Sequence, residues 1–136
     1  MRALPLWREP SAKPAAKVAP RSVRLSLTDR CDLACVYCRP HKKDGYKDER
    51  LDLAAWKVMI RGLVRAGVRR VRLTGGEPLL HGDILEAIGF LASLGLDDLA
   101  MTTNATRLAK LARPLKEAGL ERINISLDTL DSACFW

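Results

Sequence analysis

Aromatic residues are scarce in this 136-residue chain, at 5% for Phe, Trp and Tyr together. Basic patches interleaved with stacking rings, the usual equipment for nucleic acid, are therefore not expected. No apolar run approaches the roughly 18 residues a membrane span requires, and no apolar core of a secretory signal is present. The expectation is a cytoplasmic protein with neither a membrane nor a nucleic-acid partner. Cysteine is limited to four, and in an intracellular chain such cysteines serve as metal ligands or free thiols more often than as disulfides. Cys134 stands far from the rest and reads as an inert small hydrophobe. The chain is also short for a complete α/β barrel, which takes about 250 residues.

What is present is unevenly spread. Of the formal charge of +7, the stretch to residue 21 supplies +4, from Arg2, Arg8, Lys13, Lys17 and Arg21 against Glu9. With Pro5, Pro10, Pro14 and Pro20 and several alanines, residues 1–22 read as a flexible basic leader that cannot bury enough surface to offset its chain entropy. Residues 23–136 form the domain proper. An organelle transit peptide is the rival reading, opposed by the few serines and many prolines.

Within the domain, period-two segments alternate with helical ones. Val23, Leu25 and Leu27 alternate with Arg24 and Ser26, and Val71 and Leu73 with Arg72 and Thr74. Leu99 and Met101 alternate with Ala100 and Thr102, and Ile123, Ile125 and Leu127 with Asn124, Ser126 and Asp128. These predict four strands. Between them, Asp52 caps a stripe of Leu53, Trp56, Ile60, Leu63 and Val64 ended by Gly67. Asp83 caps a second stripe of Ile84, Leu85, Ile88 and Leu91 ended by Gly95. A third carries Leu108, Leu111 and Leu115, with Pro114 expected to break it into two pieces and Gly119 to end it. The order β-α-β-α-β-α-β implies a parallel sheet with right-handed crossovers. Strands apolar on one face and polar on the other fit a barrel wall better than a doubly wound sheet, whose strands are apolar throughout. A sheet with one face bare to water is the alternative.

Cys31, Cys35 and Cys38 follow the first strand in a C-x3-C-x2-C run. Three close thiolates without a fourth suit an iron–sulfur cluster, or zinc if His41 joins them, and leave a metal position open. Gly75-Gly76-Glu77-Pro78 ends the second strand, at the sheet end where such folds keep their chemistry. Arg24 and Arg72 point to one lumen, where two guanidiniums call for an anion or for pairing with Glu77 or Asp128. Thr102, Thr103 and Asn104 offer short hydrogen-bonding groups on the third strand, and Asn124, Ser126 and Asp128 do so on the fourth.

Together Cys31, Cys35, Tyr37, Cys38 and Gly75-Gly76-Glu77-Pro78 resemble the radical S-adenosylmethionine (SAM) superfamily. The runs Arg24–Cys31, Cys38–Pro40, Thr102–Asn104 and Asn124–Thr129 resemble, within it, the GTP 3′,8-cyclase family of molybdenum cofactor biosynthesis. That resemblance implies the first four βα-type units of a partial (β/α)6 barrel with parallel strands in sequential order. It implies a [4Fe–4S] cluster on Cys31, Cys35 and Cys38, SAM contacts from Tyr37, Gly76 and Ser126, and GTP contacts from Arg24, Arg72 and Thr102. The chemistry implied is SAM cleavage to a radical that takes the ribose 3′ hydrogen, with closure onto C8 of guanine. Three positions depart from the family pattern, His81-Gly82 in place of basic residues and Ala105 in place of glycine. Family members also continue beyond the point matching Trp136, so the expectation is an incomplete, by itself inactive fragment, completed by a second chain if at all. A peptide-modifying or haem-pathway radical SAM enzyme is the alternative within the superfamily, and a zinc-binding nucleic-acid module the alternative outside it.

Overall fold

A computed structural model of the chain describes residues 21–35, 37–38 and 51–131. The leader up to residue 20, His41, Cys134, Phe135 and Trp136 lie outside the described residues. Strands and helices alternate as β1 (Ser22–Ser26), α1 (Leu53–Arg65), β2 (Arg70–Thr74), α2 (Ile84–Ala92), β3 (Asp98–Thr103), α3 (Leu108–Glu117) and β4 (Arg122–Ile125), with a 3-10 turn at Pro78–Leu80 before α2. All four strands are parallel and ordered β1-β2-β3-β4.

The period-two pattern sorts the two faces as expected. Val71, Leu73, Leu99 and Met101 are buried against Trp56 and Ile60 of α1, Ile84, Ile88 and Leu91 of α2, and Leu115 of α3. All three helices therefore cover one face. On the other face Arg24, Ser26 and Asn124 are exposed and Arg72, Thr74 and Thr102 half-buried, the arrangement of a barrel wall and its lumen. The register sets Arg24 beside Arg72, and Thr102 beside Asn124.

Asp52 caps α1 as the sequence predicts, its Oδ1 accepting the Ala55 N–H at 2.7 Å. The predicted terminators Gly67, Gly95 and Gly119 all carry positive φ.

The described residues begin at Arg21, whose carbonyl accepts N–H bonds from Arg69 and Arg70, both 2.9 Å, and Ser22 opens β1. Four local expectations are corrected. Pro114 does not break α3, which runs through it and closes with Ala118 N–H on the Pro114 carbonyl at 2.9 Å. A proline inside a helix costs about 3 kcal/mol, and burying one leucine returns about 1.5–3 kcal/mol. Leu115 is fully buried, and Leu108 and Leu111 pack on the same core, so the stripe outweighs the lost bond. Asp83 stands at the N-cap of α2 without a side-chain cap bond; its N–H donates instead to His81 Nδ1 at 3.2 Å. Leu85, assigned to the apolar stripe, is exposed. Ile125 and Leu127 are half exposed rather than core, because among the described residues β4 has a neighbour on its β3 side alone and no helix follows to cover it.

Candidate functional site

The loops leaving the four strands meet at the C-terminal end of the sheet, and the closest junction joins the first two. Gly76 N–H donates to the Thr28 carbonyl at 2.6 Å, and Glu77 N–H to the Arg30 carbonyl at 2.7 Å. A Cβ on Gly75 would overlap the Thr28 carbonyl, and one on Gly76 the Arg30 carbonyl. Two backbones can approach this closely only where no side chain intervenes. The glycine pair thus seats the β2 turn directly on the residues that lead into Cys31.

Glu77 extends the junction to β3. Its side chain is buried, with Oε1 accepting from Leu79 N–H at 2.9 Å and the Thr103 hydroxyl at 2.7 Å, and Oε2 from Asn104 N–H at 2.7 Å. Three donors around one buried carboxylate satisfy it without a cation. The next residue, Ala105, takes φ 65°, a left-handed conformation that glycine adopts more readily, at the position where the sequence departs from Thr-Thr-Asn-Gly.

Asn104 and Thr106 then reach the cysteine loop. Asn104 Nδ2 donates to Asp32 Oδ1 at 2.8 Å and lies 3.9 Å from Cys31 Sγ, while the Thr106 hydroxyl donates to Asp32 Oδ2 at 2.6 Å. Burial alone would push the Asp32 carboxyl up, but the hydrogen bonds from Thr106 and Asn104, with Arg107 nearby, outweigh it and hold it below the ordinary carboxylate value. Cys31 Sγ also accepts the Leu33 N–H at 3.4 Å.

The far side of the loop is tied to β4. Cys38 N–H donates to the Cys35 carbonyl at 3.0 Å, forming a turn, and the Tyr37 hydroxyl lies 2.9 Å from both carboxylate oxygens of Asp128. That hydrogen bond to Asp128, with the Cys35 thiol nearby, pushes the Tyr37 phenol above its ordinary value. Ser126 N–H donates to the Thr103 carbonyl at 2.9 Å, carrying the sheet ladder one step past β4.

The donor chemistry of this loop fits an iron–sulfur cluster. Cys31 and Cys35 are half-buried and Cys38 exposed, and polar N–H groups face Cys31 as they face liganded thiolates. Among the described residues no three His, Cys, Asp or Glu side chains are gathered to hold a metal ion, and His41 lies outside those residues.

Below the mouth, Arg24 and Arg72 stand side by side on neighbouring strands, about 4.8 Å apart at the backbone. No ion pair among the described residues reaches either arginine. Of the two acids weighed as internal partners, Glu77 is engaged by Leu79, Thr103 and Asn104, and Asp128 by Tyr37. Thr102 lies on the same polar face, in register with Asn124.

The nine residues that the resemblance assigns to cluster, SAM and GTP therefore lie at one end or on one polar face of the sheet. Gly76 is joined to the cysteine loop, and Tyr37 to the segment just beyond Ser126. The residues that do the joining, Asp32, Glu77, Asn104 and Asp128, had no assigned role of this kind. Glu77, Asn104 and Asp128 stood out in the sequence as polar groups within their motifs and Asp32 by its place beside Cys31, but their partners were not visible, because the links cross 26–91 residues of sequence.

Residues 25–134 match the radical SAM superfamily. The chain is 46% identical over 122 residues to a GTP 3′,8-cyclase of Acidothermus cellulolyticus, an alignment covering 85% of this chain and 34% of that protein. It is 50% identical over 112 residues to one from Lactiplantibacillus plantarum, covering 79% and 33%. The chain thus spans about a third of the length of these relatives. Among solved structures it is similar to Streptococcus suis SuiB bound to S-adenosylmethionine, at TM-score 0.68 and 27% identity over 86% of this chain and 27% of SuiB. BtrN, in complex with AdoMet and 2-DOIA, shares the fold at TM-score 0.67 and 20% identity, over 77% of this chain and 44% of BtrN.

Proposed function

The chain belongs to the radical SAM superfamily, and from that premise we propose that it is the cluster-bearing part of an enzyme converting GTP to its 3′,8-cyclised dihydroguanosine triphosphate in molybdenum cofactor biosynthesis. The observation that carries the reading is the junction of the cysteine loop with the glycine turn, set over two arginines that no described carboxylate pairs. No helix among the described residues is long and apolar enough to cross a membrane.

In this reading Cys31, Cys35 and Cys38 hold a [4Fe–4S] cluster. When bound, that cluster with SAM supplies a carbon radical strong enough to take a hydrogen from a sugar carbon. The protein's part is placement. The Gly75–Gly76 backbone lies close enough to the cysteine loop to present main-chain groups to the methionine end of SAM. Tyr37 and Ser126 flank the same cofactor from the loop and from the end of β4. Arg24 and Arg72 hold the anionic substrate, their neighbouring guanidiniums matched to phosphate oxygens, and Thr102 adds a hydroxyl one row nearer the mouth.

Support for GTP over other substrates comes from the identity to the cyclases, well above that to SuiB. The chemistry of the arginine pair supports it independently, and a second chain completing the barrel is part of the same proposal. Calorimetric titration of GTP into the reconstituted protein tests it. Loss of one charge-assisted contact costs about 1.5–3 kcal/mol, so Arg24→Ala or Arg72→Ala weakens GTP binding by roughly 10-fold or more. Unchanged affinity in both variants, with SAM cleavage intact, points to a different substrate on the same cofactor machinery.

A further inference from the structure

A contact from the end of β3 reaches toward a sulfur of the cysteine loop, and it comes from a residue with a fixed orientation. Asn104 Oδ1 accepts from Thr106 N–H at 3.0 Å, while Nδ2 donates to the Asp32 carboxylate at 2.8 Å. A backbone donor on one side and a carboxylate acceptor on the other determine which end of the amide is which. Its backbone is held as well, by Glu77 Oε2 at 2.7 Å. An amide nitrogen carries two hydrogens. With one given to Asp32, the other is left for Cys31 Sγ, 3.9 Å away.

We propose that Asn104 is a positioning residue that donates an N–H···S bond to the Cys31 thiolate, aimed by Asp32, and that this bond raises the reduction potential of the cluster. The inference rests on the cluster reading given above. One-electron reduction by an external donor such as dithionite adds one negative charge, shared between the irons and their thiolates. A donor facing a thiolate gains strength as charge accumulates there, so it favours the reduced form. Leu33 N–H, at 3.4 Å, acts on the same sulfur in the same sense, but it belongs to the cysteine loop itself. Asn104 instead couples the potential to the β3 end, and through Glu77 to the glycine turn.

The test is an anaerobic redox titration of the reconstituted full chain, followed by electron paramagnetic resonance. The expected result is a midpoint potential lower in Asn104→Ala than in wild type at equal iron content. The chain has only two asparagines, Asn104 and Asn124, so asparagine labelled with 15N at the side-chain amide alone, in an Asn124→Gln background, isolates the group of interest. Pulsed measurement of the reduced cluster in that otherwise unaltered protein should show a 15N coupling, weakened when Asp32→Ala releases the amide. This second readout stands even if Asn104→Ala fails to fold. An unchanged potential in folded, fully loaded Asn104→Ala overturns the inference, as does a reduced cluster with no 15N coupling. A wild-type chain that assembles no cubane at all overturns the cluster reading itself, a failure that iron and sulfide analysis distinguishes from the other two.

Discussion

Replacing Glu77 by glutamine isolates one term in the stability of the site. The carboxylate receives three hydrogen bonds at 2.7–2.9 Å in a buried setting. The best fit for glutamine keeps its oxygen toward Leu79 and Thr103, and its amide then faces the Asn104 N–H, donor against donor. One buried N–H is stranded, at about 1–3 kcal/mol, and the two surviving bonds fall from charge-assisted to neutral strength. The sum is about 2–4 kcal/mol. For a domain near 100 residues each kcal/mol moves the melting temperature by about 4–8 °C, so Glu77→Gln should melt on the order of 10–20 °C below wild type by circular dichroism. Amide exchange at Asn104 should accelerate in the same variant, since that N–H loses its acceptor. A variant within 0.5 kcal/mol of wild type, with Asn104 equally protected, would refute the assignment of Glu77 as the link between the glycine turn and β3.

Two further outcomes follow from the same region. Ala105 holds φ 65°, which costs a residue with a Cβ about 1–2 kcal/mol, while glycine gives back about 0.4–1 kcal/mol through the freedom of the unfolded chain. Ala105→Gly should therefore stabilise by about 0.5–1 kcal/mol in urea denaturation, and destabilisation would show that the left-handed turn is not strained. The folded Asp32 carboxyl titrates below its ordinary 3.8, so its contribution is present above that value and disappears as pH falls through the lower, folded one. Asp32→Asn should accordingly be less stable than wild type at pH 7 and match it at strongly acid pH; a difference that persists unaltered into acid would contradict the sign.

Strands, helices and their order were legible because each element carries its own period, and the two-sided strand pattern alone separated barrel wall from doubly wound sheet. Where a local rule met a tertiary one, the tertiary one prevailed. Pro114 sits inside α3 because Leu115 is buried, and Ile125 is exposed because β4 has no second neighbour among the described residues. The site was legible as a set of motifs, since Cys31, Cys35, Cys38 and Gly75-Gly76 are each local runs. Their connections were not. Glu77 meets Thr103, Asn104 meets Asp32, and Tyr37 meets Asp128 only once strands distant in sequence have been laid side by side. For that reason internal pairing of Arg24 and Arg72 with Glu77 or Asp128 was an open alternative in the sequence, and no ion pair among the described residues joins them.

The most direct test of the central claim is Mössbauer spectroscopy of the 136-residue chain reconstituted anaerobically with 57Fe and sulfide, before and after addition of SAM. Three cysteine ligands leave one iron of a cubane without a protein donor. The account predicts about four irons and four sulfides per chain and a change at one iron in four when SAM binds, with the cluster lost in Cys31→Ala, Cys35→Ala and Cys38→Ala. Zinc uptake without iron, or a cluster whose four irons all ignore SAM, would contradict it.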